Sequence, residues 1–211
     1  MKIGFGMRLR SWVWAVAATV CAVPALATEL TPIPESLKSA LSQVVPDPPP
    51  AHLALDAHFI TSDEGAHNLF KDAVKDKGGV LLGVGTDPNY YIAGWMKADL
   101  VLLVDFDQVV VDLHALYVRD LLQSPDINSF IAFWSKAKAK EVEAQIQKDF
   151  TDEATRKRLI AAYRLARGQI NGKWNWVRNK YKVDKISSMF SDPEQYNHVR
   201  KLAQKIGRAH V

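Results

Sequence analysis

Two short stretches hold residue types that can do chemistry at one place. Gly83-Val84-Gly85-Thr86-Asp87 closes the apolar run that begins at Val80, and Asp105-Phe106-Asp107 closes the run Leu100 to Val104. Glycine lets a backbone approach a ligand closely. A carboxylate about twenty positions on can accept hydrogen bonds from ligand hydroxyls if both lie at the carboxyl ends of neighbouring parallel strands. Gly83, Gly85, Thr86, Asp87, Asp105 and Asp107 are therefore the candidate ligand-binding residues. Asp105, Asp107 and Asp112 also offer oxygens suited to Ca²⁺ or Mg²⁺, but their spacing follows no calcium loop. Ligand contact plus negative charge at a helix start explains them better, and no metal is assigned. His114 reads as a hydrogen-bonded, half-buried histidine rather than a base, and His52, His58 and His67 lack ligand spacing. No general acid, base or nucleophile stands out, so the catalytic residues are unknown.

The elements that must position these residues follow from periodicity. Thr61-Ser62-Asp63-Glu64 has the form of a capping box opening a helix with His67, Phe70 and Val74 on one side, ending before Gly78-Gly79. Val80 to Val84 and Leu100 to Val104 are continuous apolar runs that suit strands buried on both faces. Pro88 suits a helix first turn, so Asn89 to Met96 fits a short helix, and Gln108 to Gln123 an amphipathic one. The order strand, glycine turn, helix, strand, acid, helix predicts a βαβ unit with a right-handed crossover. After it the sequence predicts helices from Ser124-Pro125, with Phe130, Phe133 and Trp134 inward; from Thr151 to about Arg167; and from Ser191-Asp192-Pro193 to Lys205.

The segment Val80 to Asp107 resembles the cofactor-binding start of class I S-adenosylmethionine-dependent methyltransferases. The resemblance rests on the turn Gly83-Val84-Gly85-Thr86 and on Asp105 at the second strand's end. It implies a Rossmann-like parallel sheet with helical decorations, and S-adenosylmethionine or a related nucleoside held by Gly83, Gly85 and Asp105, whose carboxylate would meet the ribose. The sequence departs from the family at two places. Leu81 stands where the family has an acidic residue, and Asp87 where it has a third glycine. Over Gly79 to Tyr117 the chain is closer to a group of uncharacterised exported bacterial proteins with a methyltransferase-like fold, a similarity extending to Ser191–Lys205.

Both chain ends are set apart from the fold. A basic head (Lys2, Arg8, Arg10), the apolar run Trp12 to Val23 and the Ala25-Leu26-Ala27 site describe a signal peptide cut after Ala27. An uncleaved anchor is the alternative, whereas bulky Val20 disfavours lipoprotein attachment at Cys21. Residues 28–51 read as a preamble, with a helix inside Pro34 to Val45 and a stiff linker, Pro46-Asp47-Pro48-Pro49-Pro50. The last six residues, Ile206 to Val211, match the translation of ATC GGA AGA GCA CAC GTC, a stretch of a common sequencing adapter, with a natural C-terminal tail as the alternative. The expectation is that the natural chain continues past Lys205, making 52–205 the N-terminal part of an α/β domain.

These boundaries decide the charge argument. The whole chain carries 27 basic and 23 acidic residues. Without Lys2, Arg8, Arg10 and Arg208, 23 basic residues face 23 acidic ones, so basic character gives no case for nucleic acid. The one cysteine, Cys21, lies in the signal segment, leaving no thiolate, disulfide or cysteine-ligated metal in the mature piece. Lys173 to Lys182 mixes cations with Trp174, Trp176 and Tyr181. An amphipathic segment, tryptophans inward, is preferred to a nucleic-acid or membrane surface.

The sequence thus predicts an exported protein (periplasmic, envelope-associated or secreted) of the α/β, Rossmann-like class. Its first functional reading is a non-catalytic or small-ligand-binding module. The alternatives are an S-adenosylmethionine-dependent methyltransferase and a scaffold that meets protein partners through its helices.

Overall fold

The computed structural model describes residues 34–45, 52–53 and 57–206, with the side chains of 38, 41, 42 and 204–206 excepted. The signal segment, the proline linker and residues 207–211 lie outside the described residues. A first helix, α1 (Glu35–Ser42), forms within the stretch read as preamble.

The expected capping box at Thr61 does not form. The Ser62 hydroxyl accepts the Glu64 N–H, and the Lys173 ammonium takes the Ser62 and Glu64 carbonyls, so the backbone is satisfied without a helix. Helical structure starts later, as a 3₁₀ turn at His67–Phe70 that runs into α2 (Lys71–Val74).

Both predicted strands are present at the predicted residues. β1 (Val80–Val84) and β2 (Leu100–Val104) pair in parallel, Val80 opposite Leu100 through Val84 opposite Val104. Between them lies α3 (Pro88–Met96), and after β2 comes α4 (Gln108–Gln123). Leu81, Val101 and Leu103 pack on Ala93, Ala98 and Leu202, so α3 and a later helix cover one face of the sheet. The other face corrects the expectation of strands buried on both sides. Val80, Leu82, Val84 and Val104 are 55, 66, 69 and 49% exposed, because no described element lies over them.

Beyond α4 the chain is helical: α5 (Ile127–Phe133), α6 (Ala139–Asp149), α7 (Glu153–Val183) and α8 (Pro193–Ile206). Among the described residues helix dominates beside one two-stranded sheet, so the class shown is mixed α/β, mostly helical. The cap of α7 is Asp152, whose carboxylate accepts the Thr155 N–H at 2.7 Å, rather than Thr151. The helix also runs well past Arg167. Its inner stripe, with Leu159, Tyr163, Ala166, Ile170, Trp174, Val177 and Tyr181 buried, passes Gly168 and Gly172 on the outer side. Burial of such side chains stabilises by about 1.5–3 kcal/mol each, which outweighs roughly 1 kcal/mol lost per helical glycine.

The core is aromatic. Tyr91, Trp95, Tyr117, Trp134, Tyr163 and Trp174 are all but fully buried, with Tyr117 4.8 Å from Trp134 and 5.8 Å from Trp174 between ring centroids. Asp120 lies inside this cluster and accepts hydrogen bonds from Trp134 Nε1 and the Ser124 hydroxyl. No helix among the described residues is long and apolar enough to cross a membrane.

Candidate functional site

Because β1 and β2 run parallel and in register, the turns that leave them emerge side by side at their carboxyl edge. Gly85 takes a left-handed conformation (φ +74°), and a Cβ there would meet no atom within 4 Å. The Asp105 carboxylate reaches across to this turn. One oxygen accepts the Gly85 N–H at 3.1 Å and the other accepts the Asp107 N–H at 2.9 Å. Asp107 in turn caps α4 by accepting the Val109 N–H at 2.9 Å, and its second oxygen is 2.8 Å from His58 Nδ1. A carboxylate at this N-terminus is also favoured by the helix dipole.

The carbonyl side of the turn is held as firmly. A carbonyl can only accept, so His114 Nε2 must carry the proton it gives to Gly85 O at 2.8 Å, which leaves Nδ1 to accept the Tyr90 hydroxyl at 2.9 Å. Burial pushes the His114 pKa down to about 4, so the ring is neutral at ordinary pH. The Asn89 amide donates to the carbonyls of Val84, Gly85 and Thr86.

The six sequence-predicted residues therefore divide. Gly85, Asp105 and Asp107 meet at the strand edge. Gly83 makes room for Asn89 instead: a Cβ there would sit 2.2 Å from the Asn89 amide oxygen. Thr86 and Asp87 are buried, and Asp87 Oδ1 accepts the Ser62 N–H at 2.7 Å while burial raises its pKa. Asp112 is turned away toward Arg158, whose Nε lies 2.8 Å from its Oδ2. Among the described residues no group of three metal-ligating side chains comes together. Sequence reasoning missed Asn89, Tyr90 and His58 at this edge. Asn89 carried the one local signal, an amide in the first turn after a glycine loop.

A family model matches residues 59–209, from the loop before β1 through α8. The chain belongs to the family described as domain of unknown function DUF7790. No curated relative matches it. The DUF7790 match takes in the glycine turn, both carboxylates at the strand edge, Asn89 and His114, whereas His58 lies one position before it.

Proposed function

We propose that this DUF7790 chain is an exported, non-catalytic module that binds a small ligand of the nucleoside class on a methyltransferase-like, Rossmann-like start. The observation that carries the reading is the Asp105 carboxylate holding the Gly85 and Asp107 N–H groups together. That pair of bonds fixes an open glycine turn in advance of any ligand, and preorganisation of this kind favours binding. The lone pairs left on Asp105 and the space over Gly85 are what a nucleoside would use.

The chemistry at this edge supports binding over catalysis. His114 is neutral, buried and committed at both nitrogens, and Asp107 is spent on a helix cap and His58. S-adenosylmethionine fits poorly, because Leu81 stands where its amino group would need an acid and Asp87 is buried beneath the turn. No methyl-transfer step is derived for these residues. The bare face of the two-stranded sheet supports the view that the natural polypeptide supplies further strands and helices, since parallel sheets are ordinarily covered on both sides.

Calorimetric titration with adenosine and S-adenosylmethionine tests the reading. Binding of either that disappears in Gly85→Leu, with no S-adenosylhomocysteine formed, is the expected result. Formation of S-adenosylhomocysteine would transfer the case to a methyltransferase. Absence of binding by both would leave the helical scaffold reading. Export is checked separately, by finding a mature N-terminus at Thr28 in the non-cytoplasmic fraction.

A further inference from the structure

A second concave feature lies away from the glycine turn. An open groove of about 410 Å³ runs between the segment Thr61 to Gly65 and the outer side of α7. Its floor is helix backbone laid bare at Gly168 and Gly172, where a Cβ would meet nothing within 4 Å. Trp176 forms one wall. Trp176 as a residue is 47% exposed, whereas Trp95, Trp134 and Trp174 are buried. Thr61, Asp63 and Gln169, residues that carry hydroxyl, carboxylate and amide groups, also line it.

The walls are fixed rather than incidental. Lys173 donates to the carbonyls of Ser62 at 2.6 Å and Glu64 at 3.0 Å, tying the loop to α7. The same ammonium lies 5.0 Å from the centroid of the Trp176 ring, a cation–π contact, and Gly65 abuts the ring edge. Behind the loop, the Ser62 N–H is held by Asp87, whose side chain is fully buried and whose Oδ2 has no partner among the described residues. A buried carboxylate thus anchors the loop from inside, and a lysine clamps it from outside.

The chemistry of the lining selects the ligand. Lys173 has two of its three N–H bonds committed to carbonyls and Asp63 adds a negative charge, so phosphates and other anions are poorly served. An exposed indole beside a carboxylate, an amide and a hydroxyl suits a neutral ring with apolar C–H groups and several hydroxyls. The volume is within the range of small-molecule sites. We infer that the groove between Thr61–Gly65 and the Gly168–Trp176 side of α7 binds a neutral saccharide, one pyranose resting on Trp176 and its hydroxyls meeting Asp63 and Gln169. This site is separate from the glycine turn and does not depend on the reading given to that turn.

The test is a fluorescence titration of the full chain with chitotriose and with maltotriose, the difference between parent and Trp176→Phe isolating the exposed indole. The expected result is saturable quenching by at least one of them, with a Kd of about 1 mM or tighter. Trp176→Ala and Gly172→Leu should each weaken it about tenfold or more with unchanged helical circular dichroism. If Trp176→Ala fails to fold, Gly172→Leu decides alone, because its side chain would enter open space. No saturable change with either sugar up to about 10 mM overturns the inference. So does binding that Gly172→Leu leaves intact.

Discussion

His114 Nε2 donates to the carbonyl of Gly85 across 2.8 Å, and this bond ties the helix after β2 to the turn after β1. It requires a neutral ring, with a pKa near 4 against the usual 6.5. A histidine whose folded pKa is depressed takes up its proton more readily when unfolded. Stability is therefore lost as pH falls from 6.5 towards 4, by about 3 kcal/mol in all. His114→Gln should remove that slope. Urea unfolding of parent and variant at pH 7 and pH 4.5 measures it, and equal slopes would show the ring is not buried neutral. Asp87 acts in the opposite sense. Its raised pKa adds stability on acidification through the range above 3.8, so only the difference between parent and variant isolates His114.

Asp105→Ala removes the acceptor for two backbone N–H groups, those of Gly85 and Asp107. A loss of about 1–3 kcal/mol is expected, with Asp105→Asn losing less because its amide oxygen still accepts one of them. Chemical denaturation reads both values. Equal losses in the two variants would mean that the charge, rather than the pair of bonds, holds the turn.

Asp107 has two tasks that mutation can separate. Asp107→Ala should cost about 1 kcal/mol through the lost cap on α4, while His58→Ala should cost under about 1 kcal/mol because the imidazole is 37% exposed. A double-mutant cycle gives the coupling between them, and a coupling larger than the cap itself would reverse this ranking.

Gly168→Ala and Gly172→Ala should each stabilise the chain by about 0.4–1 kcal/mol, since both positions have helical geometry and open space for a methyl group. Thermal melting checks the sign. A fall in melting temperature would show that another group approaches the helix there in solution.

Leu82 is 66% exposed on the bare face of the sheet. Leu82→Lys should change stability by no more than about 0.5 kcal/mol and should reduce self-association in sedimentation velocity. Strong destabilisation would mean that something covers this face.

Much of the βαβ unit was legible, because an apolar run between glycines or acids has few readings other than a strand. Val80–Val84 and Leu100–Val104 were found at their residues for that reason. What covers each face was not legible, since Leu81 and Leu82 are chemically alike and only neighbours distant in sequence distinguish them. The helix expected to end at about Arg167 continues through Gly168 and Gly172 to Val183. The stripe from Leu159 to Tyr181 overrode them, as tertiary burial overrides local propensity. Trp174 and Trp176, both expected inward, lie two positions apart on a helix and so point to nearly opposite sides; Trp174 is buried and Trp176 faces outward. At the strand edge, Asp105 and Gly85 were visible through spacing. The tie of Ser62 to Asp87 joins residues 25 positions apart that share no periodic pattern, so no local signal announced it.

The clamp made by Lys173 also bears on the order in which the molecule assembles. Its carbonyl partners lie 111 and 109 positions earlier in the chain. Loops of that length close slowly and late, after local helices have formed. Residues 61–66 should therefore join the fold last and leave it first, as a latch whose opening precedes global unfolding. Limited proteolysis of the native chain should nick this segment before any helix, and Lys173→Met should speed the nicking while leaving the refolding rate of the aromatic core unchanged.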